Sequence, residues 1–198
     1  MSRPLQNRVT PAGDIIATPE RGLMMGNRGG RIHTDAKTLS GARWRSKAWI
    51  ICLLSFKDRR REVMGASYTE LFFLDEATAL AAGHRPCFEC RRADAHAFAT
   101  LFPGPGRSRA PAMDERLHTE RLSPPERVAM DTLPDGALFE WEDAAWLRQR
   151  GRFFRWQNSG YTDSRPVTGD AVHALTPPAT RAVLAAGYQP ILHPSINP

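Results

Sequence analysis

Cysteine is scarce in this chain: Cys52, Cys87 and Cys90 are the only three in 198 residues. An odd number that includes a Cys-x-x-Cys pair is no disulfide framework, and it points to reduced thiols and a cytoplasmic setting. Long apolar runs are missing too, so the composition offers no membrane-spanning helix. Met1 to Gln6 has no apolar stretch of signal-peptide kind. There is no Gly-rich phosphate loop of standard spacing, no Gly-x-Ser-x-Gly and no His-Glu-x-x-His. The nucleotide-binding, serine-hydrolase and zinc-protease chemistries that need those motifs therefore find no support.

What is present is an uneven charge. Residues 1–61 hold 13 Lys/Arg against 4 Asp/Glu, a net +9, and residues 62–198 hold 14 against 17, a net −3, which together give +6. A concentrated positive field draws polyanions, nucleic acid above all. Arginine dominates over lysine throughout, so a plain compositional bias explains part of the same number. Within the basic third, Arg28 and Arg31 flank Gly29 and Gly30, where exposed backbone N–H groups suit a phosphate. Arg43 and Arg45 flank Trp44, so cation and ring can touch nucleic-acid backbone and base together. Arg59, Arg60 and Arg61 form a charged turn. A hairpin tip and solvated arginines are the plainer readings of these stretches.

The chain is organised around Glu70 to Arg92. Leu71 to Leu74 has strand composition. Asp75 is a good N-cap, the alanines and Leu80 that follow favour helix, and Gly83 stands where a left-handed C-cap is wanted. Pro86 cannot continue a helix, so Cys87 and Cys90 lie on a loop. Two thiolates at this spacing can grip one tetrahedral metal ion. A redox pair would follow a strand and open a helix, whereas this one follows a helix and a Gly-His-Arg-Pro turn. Metal is the better reading, and zinc is the metal for such a set.

The run Leu71-Phe72-Phe73, then Ala81-Ala82-Gly83-His84-Arg85-Pro86-Cys87 and Cys90-Arg91-Arg92, resembles the N-terminal zinc domain of the Ada DNA-alkylation repair family. The likeness covers about 25 residues within 48–92. It implies a small zinc module, four thiolate ligands, and one thiolate that accepts a methyl group from a DNA phosphotriester. The family takes its first two ligands from an upstream Cys-x-x-x-Cys. Here only Cys52 stands there, in the strand-like run Ala48 to Leu54, with Phe56 four residues on. The fourth ligand is then a histidine or a carboxylate. His33 leads, with His96 and Asp58 as alternatives, and His84 takes the place of a packing aromatic. Cys52 is the methyl acceptor in a repair reading.

The expected fold is α+β: an Ada-like zinc module, a short sheet flanked by helices, plus an antiparallel β-rich part. Residues 1–22 read as an arm with one edge strand at Asp14 to Ala17. Residues 23–102 form the module, 103–111 a Pro/Gly-rich linker and 112–198 the β-rich part. Asn27 to Gly30 predicts a hairpin turn. Arg91 to Phe102 predicts a helix with Ala95, Phe98, Ala99 and Phe102 on one face. In the β-rich part, alternation sets Phe153 opposite Phe154 and Trp156. Thr176 is expected to cap a last helix that ends at Gly187. The function this composes is a zinc-stabilised nucleic-acid-binding protein, of the kind that serves as a DNA-damage or regulatory factor. Methyl-phosphotriester repair, and a small-molecule or protein site in the second half around a structural zinc, are the rivals.

Overall fold

The computed structural model describes residues 3–60, 62–166 and 171–196. The first sheet is built from β1 (Gln6–Val9), β2 (Ile15–Ala17), β3 (Met24–Asn27), β4 (Ile50–Cys52), β5 (Leu71–Phe73) and β6 (Arg85–Pro86), in the spatial order β2-β1-β5-β3-β4-β6. Helix α1 (Glu76–Ala81) lies between β5 and β6 in the chain, and α2 (Arg92–Leu101) and α3 (Ala110–Leu122) follow β6. The second sheet contains β7 (Glu126–Ala129), β8 (Leu138–Trp141), β9 (Ala144–Gln149), β10 (Arg152–Gln157), β11 (Gly160–Pro166) and β12 (Ala171–Ala174). All its pairings are antiparallel, in the order β11-β10-β9-β8-β12-β7. A last helix, α4 (Pro178–Ala185), precedes a 3-10 turn at Pro194–Ile196. The α+β class is therefore as the sequence indicated.

Period-2 alternation decides the two faces of the first sheet. Val9, Met24, Ile51, Leu71 and Phe73 point to the core, where they meet Leu80 of α1 and Phe98 of α2. Phe139, Trp146 and Phe153 of the second sheet join the same contiguous cluster, and so do Val183 and Leu184 of α4. The Pro/Gly segment 103–111 thus carries the chain from α2 into α3 over one shared core. Phe154 and Trp156 pack on a smaller cluster with Leu138, Leu147 and Tyr161, so β10 has the two-sided character its sequence predicts.

Residues 1–22 contribute more than an arm. β1 lies inside the sheet, parallel to β5 and antiparallel to β2, and Val9 is buried. The edge strand anticipated near Ile15 is β2. The hairpin predicted at Asn27–Gly30 does not form. β3 takes β4 and β5 as its partners, and Ile32 and His33 leave the sheet, with only an isolated bridge from His33 to Leu39. Gly26 has its own reason to be glycine. A Cβ there would stand 2.1 Å from the Ile50 carbonyl oxygen, so β3 and β4 approach closely only without a side chain.

Two buried acids join the halves of the molecule. Asp75 caps α1 through Thr78 N–H at 2.9 Å and also accepts from Tyr161 Oη at 2.8 Å and His193 N–H at 3.1 Å. Glu76 accepts from Arg91 at 2.8 Å, Tyr188 Oη at 2.6 Å and Ile191 N–H at 2.9 Å. Gly83 ends α1 at φ +79°, a left-handed C′ position of the kind glycine fills. The cap anticipated at Thr176 is absent. Its hydroxyl accepts from Leu138 N–H, while the Glu120 carboxylate of α3 takes the Ala179 N–H at the start of α4.

Candidate metal centre

The three thiols converge because β4 and β6 run side by side. Ile50 pairs with Arg85 and Ile51 with Pro86 in parallel register, and Cys87 N–H bonds the Ile51 carbonyl at 2.9 Å. Cys52 ends one strand and Cys87 follows the other, so the ladder sets them next to each other. The turn Cys87-Phe88-Glu89-Cys90 brings the third sulfur back. All three sulfurs lie within 4.8 Å of one another, and Cys52 and Cys87 are each 8% exposed. A tetrahedral zinc with bonds of about 2.3 Å needs sulfurs about 3.8 Å apart, so the spread suits one ion.

The backbone is arranged for negative sulfur. Glu89 N–H donates to Cys87 Sγ at 3.4 Å, the Cys90 amide also favours negative charge on Cys87, and the Leu53 amide favours it on Cys90. Among the thiols themselves, the Cys52 S–H donates to Cys87, which brings Cys87 down to about 5. The same hydrogen bond, aided by burial, pushes Cys52 up, and burial pushes Cys90 up. One thiolate thus forms readily and the other two ionise when a cation enters. The three cysteines could hold a metal ion, and no described helix is long and apolar enough to cross a membrane.

The face of the first sheet away from the core is a cleft of about 940 Å³, and the thiols form one of its walls. Register lays out its floor. Arg8 pairs with Phe72, Phe72 with Met25 and Met25 with Cys52, so four strands give one row of side chains on this face. Glu70 also lines the cleft. It is 2% exposed, its Oε2 accepts from Met64 N–H at 2.8 Å, and its Oε1 has no hydrogen-bond partner among the described residues. Arg3, Arg21 and Arg59 line the same cleft. Arg8 stacks over Phe72 at 4.8 Å, and its pKa is lowered by burial and then by the charge of Arg21. Arg59 pairs with Glu89 at 2.5 Å and is close enough to Cys90 and Cys87 to feel their charge. Arg3, Arg8 and Arg21 have no ion pair with a described carboxylate.

The other site candidates fall in various places. His33 lies outside the cysteine group. Its Nδ1 meets Thr69 Oγ1 at 2.5 Å and its Nε2 meets the Gly65 carbonyl at 2.9 Å, so both ring nitrogens are engaged in holding residues 65–69. His96 rests its ring against Phe88 at 5.5 Å, and Asp58 sits in a left-handed turn at φ +51°; neither joins the group. Arg28 is no surface phosphate contact. It is 1% exposed, stacks on Trp49 at 3.9 Å and donates to the Gly13 carbonyl, fastening the β1–β2 turn. Burial, followed by the charges of Arg43 and Arg121, lowers it to about 9.

Arg31 pairs with exposed Asp35, and Arg43 lies 3.5 Å from Asp14. Arg45 is exposed and donates to the Arg31 carbonyl at 2.7 Å. Arg60 is exposed, and Arg61 lies outside the described residues. Sequence reasoning missed Arg8, Arg21 and Glu70. The one signal was parity, since Glu70 shares the side of β5 that Phe72 takes, opposite Leu71 and Phe73.

Comparison with protein-family models, with curated proteins and with solved structures finds no match. The meaning of the site rests on its own geometry.

Proposed function

We propose that this protein holds one zinc ion on Cys52, Cys87 and Cys90 and binds nucleic acid, DNA in particular, on the arginine-bearing surface around that centre. The observation that carries the reading is the convergence of the three thiols on the wall of a cleft that also holds Arg3, Arg8, Arg21 and Arg59. The zinc would fix the β4–β6 end of the sheet, and its binding energy would add to folding energy. The arginines in and around the cleft, with Arg43, Arg45 and Arg60 outside it, would supply backbone affinity without base readout. Resemblance to the Ada zinc domain at residues 48–92 supports the same assignment.

The test is elemental analysis of purified protein followed by duplex DNA binding across a salt series. About one zinc per chain, with an affinity that falls steeply with salt, is the expected result. Absence of bound metal, or affinity for DNA that is indifferent to salt, would refute it.

A second reading, transfer of a methyl group from a DNA phosphotriester to Cys52, is favoured by one observation: Cys52 lines the cleft. Intact mass after incubation with methyl-phosphotriester DNA decides it, since the reading requires a gain of one methyl group on Cys52.

A further inference from the structure

We propose that the cleft delivers the fourth ligand of the metal centre, and that this ligand is a low-molecular-weight thiol carrying carboxylate groups. The inference rests on the zinc reading above and extends it from a structural ion to one with an exchangeable ligand.

A tetrahedral zinc takes four ligands, and among the described residues only Cys52, Cys87 and Cys90 form a ligand group. The chain has three cysteines in all, and each is already committed, so a second copy has no spare thiol to lend. Three thiolates leave a divalent ion with a net charge of about −1, a soft centre that favours sulfur over a hard phosphate oxygen. The sulfurs face the cleft, so the incoming ligand arrives from there.

The cleft then describes the rest of the ligand. Arg3 and Arg21 lack an ion pair with any described carboxylate, and guanidinium groups recognise carboxylates with two parallel hydrogen bonds; Arg8 donates through Nε to the Glu20 carbonyl and through Nη1 to Asn7 Oδ1, so it offers its Nη2 and its uncompensated charge. Glu70 supplies a buried acceptor, its Oε1 without a donor among the described residues, which fits an ammonium or amide N–H. Arg8 lies three strands from Cys52 in the floor row, roughly 14 Å of backbone at about 4.8 Å per strand. An extended tripeptide spans about 10 Å, and the flexible arginine covers the remainder. A tripeptide-sized thiol therefore reaches both ends, and a two-carbon thiol does not. It binds as the thiolate, with its proton released to solvent.

The experiment uses the full chain loaded with cobalt(II) in place of zinc, with reduced glutathione as probe. The thiolate-to-cobalt charge-transfer band is expected to grow by about one third as the sulfur count rises from three to four. S-methylglutathione has the same carboxylates and no free thiol, and should leave the band unchanged. Cysteamine, a thiol without carboxylate, should need about tenfold more for the same growth. Arg21 is exposed, so Arg21→Glu is expected to fold, to load cobalt normally and to weaken glutathione binding about tenfold. A charge-transfer band that glutathione does not move overturns the proposal. So does an equal response to glutathione and cysteamine, or a band moved by duplex DNA and not by the thiol. A protein that takes up no cobalt overturns the metal reading itself, which is a separate outcome.

Discussion

Glu76 and Arg91 meet at 2.8 Å with side chains 0% and 1% exposed, an ion pair sealed inside the molecule. Arg91 opens the turn into α2, directly after Cys90, so this pair locks the cysteine loop to α1. Removing only the arginine would leave a buried carboxylate with its charge uncompensated. Arg91→Leu is expected to cost about 3–5 kcal/mol in urea unfolding. The double change Glu76→Gln with Arg91→Leu should recover a large part of that loss. If the single variant unfolds at the wild-type urea concentration, the pair is not a structural lock.

Metal binding and folding should be linked through Cys87. The Cys87→Ser variant is expected to lose the bound metal and to unfold at lower temperature than the metal-loaded parent. Adding a chelator to the parent should reproduce that shift. A variant with full metal content would remove Cys87 from the ligand set.

His84 makes the fold acid-sensitive. It is fully buried, neither ring nitrogen has a well-formed hydrogen bond among the described residues, and its ring packs 4.8 Å from Phe73 and 5.0 Å from Trp49. Burial, followed by the charges of Arg28 and Arg121, holds it well below 6.5. A group depressed in this way adds stability that is complete above the unfolded value of about 6.5. That stability is lost as pH falls towards the folded value, at up to about 1.4 kcal/mol per pH unit. His84→Phe should flatten the stability profile between pH 6.5 and 5. An unchanged slope in denaturant melts at these two pH values would contradict the assignment.

Gly26→Ala should reach the thiols without touching them. The added Cβ would lie 2.1 Å from the Ile50 oxygen and 2.9 Å from the Phe73 ring, so β4 must move. A loss of about 2 kcal/mol or more is expected, together with weaker metal retention against a chelator, because Cys52 travels with β4. Wild-type metal affinity in a destabilised variant would show that the cysteine group is independent of the strand spacing.

A fragment ending at residue 111 should not fold. It keeps Asp75 and Glu76 but loses Tyr161, Tyr188, Ile191 and His193, which donate to them, along with the core residues of the second sheet. Circular dichroism and a thermal melt of the fragment decide this, and a cooperative transition would establish the first part as self-sufficient.

Local features were legible in the sequence and long-range ones were not. Asp75 as N-cap, Gly83 as C′, the strands at Ile50–Cys52 and Leu71–Phe73 and the alternation of β10 follow from chemistry within a few residues. The hairpin at Asn27–Gly30 failed because β3 finds better partners 27 and 47 positions away, as Met25 pairs with both Cys52 and Phe72. β7 and β11 escaped notice because both are largely exposed and carry little hydrophobic patterning. Arg28 looked like a surface cation because nothing near it in the chain announces Trp49 as its stacking partner. The Cys87/Cys90 pair was readable from spacing and Cys52 came from the family resemblance, whereas the cleft that frames them is a product of sheet order, drawing Arg8, Glu70 and Cys52 from three distant segments.

The place of β1 beside β5 has a consequence in time. Arg8 pairs with Phe72, so 64 positions separate one strand from its neighbour. At synthesis rates of about 5–20 residues per second, the β1–β2 ribbon waits roughly 3–13 s for the strand it docks on. During that interval it has no sheet to join, and a two-stranded ribbon alone is marginal in water. The cysteines of the pair at 87 and 90 emerge soon after β5, so the nascent chain gains its dock and its metal grip almost together.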